Sequence, residues 1–187
     1  MPVLIGLCGK AGHGKDACAN VMAQRLGSVS RSFADPIKRA CSEIWGVPLS
    51  SFHDREKKDA PIAGRDLTPR EMAILLGTDL FRARVDPDFW VKRLKYELEF
   101  MVTDPSTPFI CVTDVRFPNE ALMIKELGGV IIHVDASQRV SPPGGAVSTH
   151  STEAGIPSDM IDAEIDNNSD LETLESNVLA AIGELVV

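Results

Sequence analysis

Val3-Leu4-Ile5-Gly6-Leu7-Cys8-Gly9-Lys10-Ala11-Gly12-His13-Gly14-Lys15-Asp16 is the stretch on which the reading of this chain turns. Its first six residues are a near-continuous apolar run of strand length, the pattern of a strand buried on both faces in a parallel sheet. The next eight match G-x-x-x-x-G-K, with Asp where Ser or Thr is usual. Glycines let backbone N–H groups turn inward around phosphate oxygens, and the N-terminus of a following helix adds positive potential. From Lys15 onward, Cys18, Val21, Met22 and Leu26 recur at helical spacing, which predicts that helix. The loop thus lies between a strand and a helix, the context that a phosphate-binding loop (P-loop) requires. A glycine-rich turn without a ligand is the plain alternative, and the Lys after the last Gly argues against it.

Working outward, Val29 to Ala34 reads as a second strand, and Asp35-Pro36 as the N-cap and first position of a helix. Gly46, Pro48, Pro61 and Gly64 among many charges mark residues 46–67 as an irregular insertion. Met72, Leu75, Leu76 and Leu80 predict one helix face. Val91, Leu94, Leu98 and Met101 predict another, in a helix that starts at Asp86-Pro87. Phe109 to Asp114 repeats the buried-strand pattern, and a helix to about Leu127 and a strand Val130 to Val134 follow. Residues 137–150 hold Pro142, Pro143, Gly144 and Gly145, a loop long enough to be functional. An edge strand near Ala163–Asp166 precedes a last helix with a capping box, Ser169-Asp170-Leu171-Glu172. This alternation predicts an α/β fold, a doubly wound and mostly parallel five-stranded sheet.

Composition narrows the function classes. At 187 residues the chain fits one α/β domain with a small inserted subdomain. The longest apolar stretches are about five or six residues, far short of a membrane span. The N-terminus has no basic leader and reads as a first strand, so a cytoplasmic protein is expected, with no membrane partner. Cys8, Cys18, Cys41 and Cys111 form no CxxC pair and are expected as buried free thiols. Net charge is -8, yet sixteen of nineteen Lys and Arg precede residue 100, and residues 140–187 contain nine acids and no Lys or Arg. An acidic chain is a poor binder of duplex nucleic acid, whereas a basic first half suits a small polyanion such as a nucleotide.

Several side chains carry the expected chemistry. Lys15 is expected to reach the β/γ-phosphates, with Gly12, His13, Gly14, Asp16 and Ala17 around the triphosphate; His13 is expected to act through its backbone more than its ring. Asp16 replaces the hydroxyl that normally ligates Mg²⁺, and would do so directly or through water, or else only cap the helix dipole. Asp114 ends an apolar strand, the place from which an acid orients the metal. Arg116, two residues on, points either to the same crevice or to a salt bridge with Glu120. Phosphoryl transfer between polyanions needs several cations. Lys38, Arg65, Arg70, Arg82, Arg84, Arg116 and Arg139 are the candidates, and Lys38 is favoured by its place just after the second strand.

With these motifs in view, the chain resembles the bacteriophage-type deoxynucleoside monophosphate kinases, a branch of the P-loop kinases. The resemblance runs nearly end to end through Gly14-Lys15-Asp16, Ser32-Phe33-Ala34-Asp35-Pro36-Ile37-Lys38, Leu76-Gly77-Thr78-Asp79 with Arg82, Asp114-Val115-Arg116-Phe117-Pro118-Asn119-Glu120 and His150-Ser151-Thr152-Glu153. It implies a nucleoside monophosphate kinase-like fold that transfers the ATP γ-phosphate to a deoxynucleoside monophosphate with Mg²⁺ at Asp16 and Asp114. On that reading Lys15, Arg116, Arg139 and Asp35 are catalytic, and Lys10, Lys38, Arg65, Arg70, Arg82 and Glu153 bind the acceptor. Residues 36–100 would form the acceptor side and 137–153 a lid that carries a single arginine, Arg139. Asn167, in Asp166-Asn167-Asn168, would hold the donor base, or else belong to an ordinary turn. A homodimer is left open, and the cytoplasm is that of an infected host if a phage encodes the chain. Two other readings remain: another small-molecule kinase, of dephospho-coenzyme A or phosphomevalonate type, and a non-catalytic ATP- or GTP-binding regulatory module. The lack of Asn-Lys-x-Asp counts against a GTPase switch.

Overall fold

The computed structural model describes residues 2–54, 56–139 and 155–185. The chain forms two compact units, one of residues 1–32 with 95–187 and the other of residues 33–94. The first unit is built on five strands: β1 (Val3–Cys8), β2 (Val29–Arg31), β3 (Phe109–Val112), β4 (Val130–Asp135) and β5 (Ala163–Asp166). They form one parallel sheet in the order β2-β3-β1-β4-β5. The expected doubly wound sheet is what the chain forms. β2 is shorter than the run Val29 to Ala34 suggested, ending at Arg31.

β1 is central, and five of its six residues are buried. Ile5 and Leu7 join Cys18, Ala19 and Met22 of α1 (Lys15–Leu26) and Leu174, Val178, Ala181 and Ile182 of α7 (Leu171–Leu185) in one core. On the opposite face, Gly6 lies beneath Ile124 of α6 (Pro118–Glu126), where a Cβ would stand 2.7 Å from the Ile124 methyl. Parallel pairing aligns the carboxyl ends of all five strands along one edge. The chain leaves β1 toward β2 and leaves β3 toward β4, so the crossover direction reverses between neighbouring β1 and β3. Their carboxyl ends therefore flank the crevice where ligands bind in sheets of this kind.

The second unit holds α2 (Ala34–Trp45), α3 (Ser50–His53), a 3₁₀ turn (Lys57–Asp59), α4 (Pro69–Ile74), a π-helix (Leu75–Val85) and the start of α5 (Phe89–Met101). Its core is Cys41, Val47, Phe52, Met72 and Leu76. The segment 46–67 is therefore more ordered than its composition suggested: Val47 and Phe52 are both core residues. α4 opens with Thr68 and Glu71 in a reciprocal capping box and Pro69 at its first turn.

Three helix starts and one helix face differ from expectation: α5 opens at Phe89, two residues beyond Pro87. Asp35 lies inside the first turn of α2, with Phe33 at the N-cap position. The last helix is capped by Asp170, which accepts from the Thr173 N–H at 2.9 Å, and not by Ser169. Asp170 thus stands one residue closer to the helix than the S-x-x-E pattern implied. In the face expected from Met72, Leu75, Leu76 and Leu80, only Met72 and Leu76 are buried; Leu75 is 43% and Leu80 44% exposed. The π-helix is the reason. Its i→i+5 bonding, as in Asp86 N–H to Phe81 O at 2.9 Å, rotates each residue away from its α-helical phase. Phe81, five residues after Leu76, packs on the core instead. Trp90 fastens the π-helix by donating its indole N–H to the Gly77 carbonyl at 2.9 Å.

Gly6→Ala tests the packing of α6 on the sheet. The new methyl would meet Ile124, Ile131 and Val115 side chains at 2.7 to 2.9 Å. Urea unfolding of the variant should show a loss of about 1–3 kcal/mol, the usual cost of overpacking; unchanged stability would mean that α6 lies farther from β1.

Candidate active site at the phosphate-binding loop

The loop between β1 and α1 owes its shape to close approaches that only glycine allows. Gly9 has φ 130°, and a Cβ there would lie 2.5 Å from the Val134 carbonyl oxygen. Gly14, the residue that caps α1, has φ 90°, and a Cβ there would lie 2.1 Å from Asn167 Nδ2. Both conformations are left-handed, where a side chain is strained even in open space. The Cys18 N–H bonds the Gly14 carbonyl at 3.0 Å, so helical bonding begins directly from the loop.

Lys15, the first residue of α1, curls back over the loop. Its Nζ donates to the carbonyls of Gly9 at 2.7 Å and Lys10 at 2.9 Å. Burial holds its pKa below the usual lysine value, and the neighbouring charge of Arg116 pushes it further the same way. Asp16 and Asp114 oppose that shift. Arg116, Asp16 and Asp114 therefore all act electrostatically on Lys15. Asp16 is exposed in the first turn of α1, and Arg116 is exposed beyond β3.

Asp114 stands two residues past the end of β3, not within it. Its Oδ2 accepts from the Ser32 hydroxyl at 2.8 Å. Ser32 follows the end of β2, the strand beside β3, so sheet order brings the two together. Ser32 had no role assigned from the sequence. Its only signal was a hydroxyl at a strand's carboxyl end, which is common in any sheet. Glu120, 2% exposed, spends one carboxylate oxygen on the backbone N–H groups of Arg116 at 2.8 Å and Phe117 at 3.1 Å. It thereby caps α6 and fixes the backbone that carries Arg116.

His13 is buried, contrary to the expectation that its ring matters little. The Ala136 N–H lies 3.1 Å from His13 Nδ1, and the Val134 carbonyl 3.2 Å from the same atom. One nitrogen cannot serve both as acceptor and donor. A buried backbone N–H requires an acceptor, so Nδ1 accepts from Ala136. Asn167, also buried, donates from Nδ2 to the His13 carbonyl at 2.8 Å. Arg139 brings its Nη2 within 3.8 Å of the place a Gly14 Cβ would occupy. Lys10 is exposed on the loop, and Ala17 lies in the first turn of α1.

The remaining candidates lie in the helical unit. Lys38 pairs with Asp35 at 3.8 Å. Arg65 donates to the Trp45 carbonyl at 2.7 Å, Arg70 is bridged to Asp59, and Arg82 donates to the Pro87 carbonyl at 3.2 Å. Arg84 is exposed. Glu153 and most of the expected lid lie outside the described residues.

Comparison with known proteins decides the family. The family model for deoxynucleotide monophosphate kinase matches residues 51–178. The chain belongs to the deoxynucleotide monophosphate kinase family. A protein of Acanthamoeba polyphaga mimivirus, provisionally named a deoxynucleotide monophosphate kinase, is 34% identical over 96% of both chains. The deoxynucleoside-5′-monophosphate kinase of Escherichia phage T5 is 27% identical over 91% of both. Among solved structures, a chain described as a kinase from Chloroflexus aurantiacus aligns with a TM-score of 0.52 at 14% identity, covering 98% of this chain and 97% of that one. At that identity the likeness speaks for the fold alone, the P-loop kinase fold. Among the described residues, no helix is long and apolar enough to cross a membrane.

β1 and α1, which carry the loop, and the neighbouring β3 hold three buried thiols, Cys8, Cys18 and Cys111. Burial pushes Cys8 up to about 11 and Cys18 to about 12, and raises Cys111 as well. Cys8 precedes Gly9 directly, and Cys18 lies one turn into α1. A buried neutral thiol is a weak nucleophile. The native protein at pH 8 should therefore react with a disulfide reagent only at its unfolding rate; a fast-reacting thiol would place one of these cysteines at the surface. Their stabilising contribution is complete below the ordinary thiol pKa and is lost as pH rises through about 11 to 12.

Proposed function

We propose that the chain transfers the γ-phosphoryl group of ATP to a deoxynucleoside 5′-monophosphate, giving ADP and the deoxynucleoside diphosphate. The observation that carries this reading is the pairing of two cations, Lys15 and Arg116, at the glycine loop. Burial, and after it the charge of Arg116, holds the lysine pKa down, and a bound polyanion offsets the repulsion between the two cations. Family membership supplies the acceptor class, since the relatives' names specify deoxynucleotide monophosphates.

The chemistry asks little covalent work of the protein. An oxygen of the acceptor phosphate attacks the γ-phosphorus in line as the bond to the β,γ-bridging oxygen breaks, and the leaving ADP takes that electron pair. A phosphate dianion is already a nucleophile, so no general base is required. Lys15 holds the β/γ-phosphates, and Arg116 and Arg139 neutralise charge on the transferring group. Gly12, Gly14, Asp16 and Ala17 line the triphosphate through their backbones. Lys38, with Arg65, Arg70 and Arg82, binds the acceptor phosphate, and Asp35 positions it. Lys38 leads this set because its 3.8 Å contact with Asp35 is the loosest and is the easiest to exchange for phosphate.

The donor set fits Mg²⁺. Among the described residues no group of three or more His, Cys, Asp or Glu forms a protein cage. Mg²⁺ uses one or two carboxylates with phosphate oxygens and water. Asp16 and Asp114 would hold it, with the Ser32 hydroxyl orienting Asp114. When bound, the ion neutralises charge on the β- and γ-phosphates.

A coupled assay of ADP release across all deoxynucleoside and nucleoside monophosphates tests the assignment; ADP release independent of any acceptor would reject it. Lys15→Ala should lower turnover by roughly 10²-fold or more, the loss expected for a charge on the transferring group. Near-normal turnover in that folded variant would remove the loop from the mechanism. Asp16→Asn should weaken Mg²⁺-dependent turnover strongly while leaving the melting temperature nearly unchanged. The opposite pattern, a normal rate with lost stability, would leave Asp16 as a helix cap.

A further inference from the structure

The phosphate loop is braced by the ends of β4 and β5. Gly9 packs on the Val134 carbonyl of β4. The His13 ring accepts from the Ala136 N–H just beyond β4, and the His13 carbonyl accepts from Asn167 just beyond β5. Asn167 is itself fixed by its backbone N–H, which donates to the Asp135 carbonyl at 2.7 Å. His13 is 4% and Asn167 2% exposed. From the sequence, both residues were expected to touch ATP, Asn167 at the base.

We propose that His13 and Asn167 are positioning residues of the donor site: their side chains set the backbone at residues 13 and 14 and do not read the nucleoside. The proposal rests on the reading of this loop as the triphosphate site. The geometry carries it further. Residue 13 is held at both ends of its functionality, ring and carbonyl, by two different strand ends. The next residue, Gly14, is pressed against the Asn167 amide, so that amide cannot turn toward a base without releasing the loop. What is set at residues 13 and 14 sets the direction of the following N–H groups, which are the phosphate ligands of such a loop.

Inorganic tripolyphosphate, which has no nucleoside, separates positioning from base reading. Dissociation constants of ATP and tripolyphosphate are measured for the wild type, Asn167→Ser and Asn167→Asp, with circular dichroism and melting to confirm folding. Asn167→Ser should weaken both ligands by the same factor, about 3- to 30-fold for one lost buried hydrogen bond. Asn167→Asp should weaken both further, since it sets a carboxylate against the His13 carbonyl. The KM for the acceptor should not move, and the preference for ATP over GTP should stay as in the wild type. His13→Leu should show the same equal loss, and His13→Asn, whose side-chain oxygen reproduces the position of Nδ1, should recover most of it. If ATP weakens while tripolyphosphate does not, Asn167 reads the nucleoside and the proposal fails; it fails equally if neither ligand weakens. A wild type that binds neither ATP nor tripolyphosphate overturns the donor-site reading itself, and the proposal with it.

Discussion

Parallel pairing of β1 between β3 and β4 is the constraint on which the rest of this protein depends. A strand with a parallel neighbour on each side and helices on both faces must be apolar throughout, and five of its six residues are buried. Parallel register also delivers every strand's carboxyl end to one edge. Residues remote in sequence, Asp114, Ala136 and Asn167, reach the same loop because each follows a strand of that sheet, and Ser32, after β2, reaches Asp114. The loop contributes backbone dipoles and Lys15, and the neighbouring strand ends contribute the carboxylate of Asp114, the flanking Arg116 and the braces.

Electrostatics at this edge are arranged as a frustrated cluster. Lys15 and Arg116 repel, and two carboxylates, Asp16 and Asp114, offset that repulsion in part. Such a cluster contributes little to folding and gains most from a ligand of the opposite sign. Its parts are held by hydrogen bonds from outside the cluster: the Ser32 hydroxyl on Asp114, and the Glu120 carboxylate on the backbone of Arg116 and Phe117. The stability of the unit comes from the apolar core between the sheet, α1 and α7, so charge in the loop can be tuned without unfolding the sheet.

Much of this was legible in the sequence because the decisive signals are local. An apolar run, a glycine pattern and a lysine at fixed spacing specify strand, loop and helix within sixteen residues, and Asp114 and Arg116 carry the same kind of signal. The misses share a physical cause. The Ser32–Asp114 bond and the Asn167–His13 brace join residues 82 and 154 positions apart, and no periodicity encodes such pairs. His13 looked like a loop residue because burial of a polar ring depends on what the sheet brings beside it. Leu75 and Leu80 fit an α-helical face as letters; the π-helix that exposes them depends on tertiary packing, with Trp90 bonded to Gly77. Asp170 displaced Ser169 as cap because two good caps stood side by side and only the backbone path selects one.

The π-helix has a further consequence, which concerns chain length rather than packing. Each π turn holds roughly one residue more than an α turn, and this segment keeps that geometry over eleven residues, Leu75–Val85. It therefore stores slack. A relative that lacked one or two residues here could span between the same flanking helices with ordinary α-helical bonding, and one with an added residue would need no new loop to absorb it. Length variation in this family should then collect inside a helix, a place where most folds forbid it.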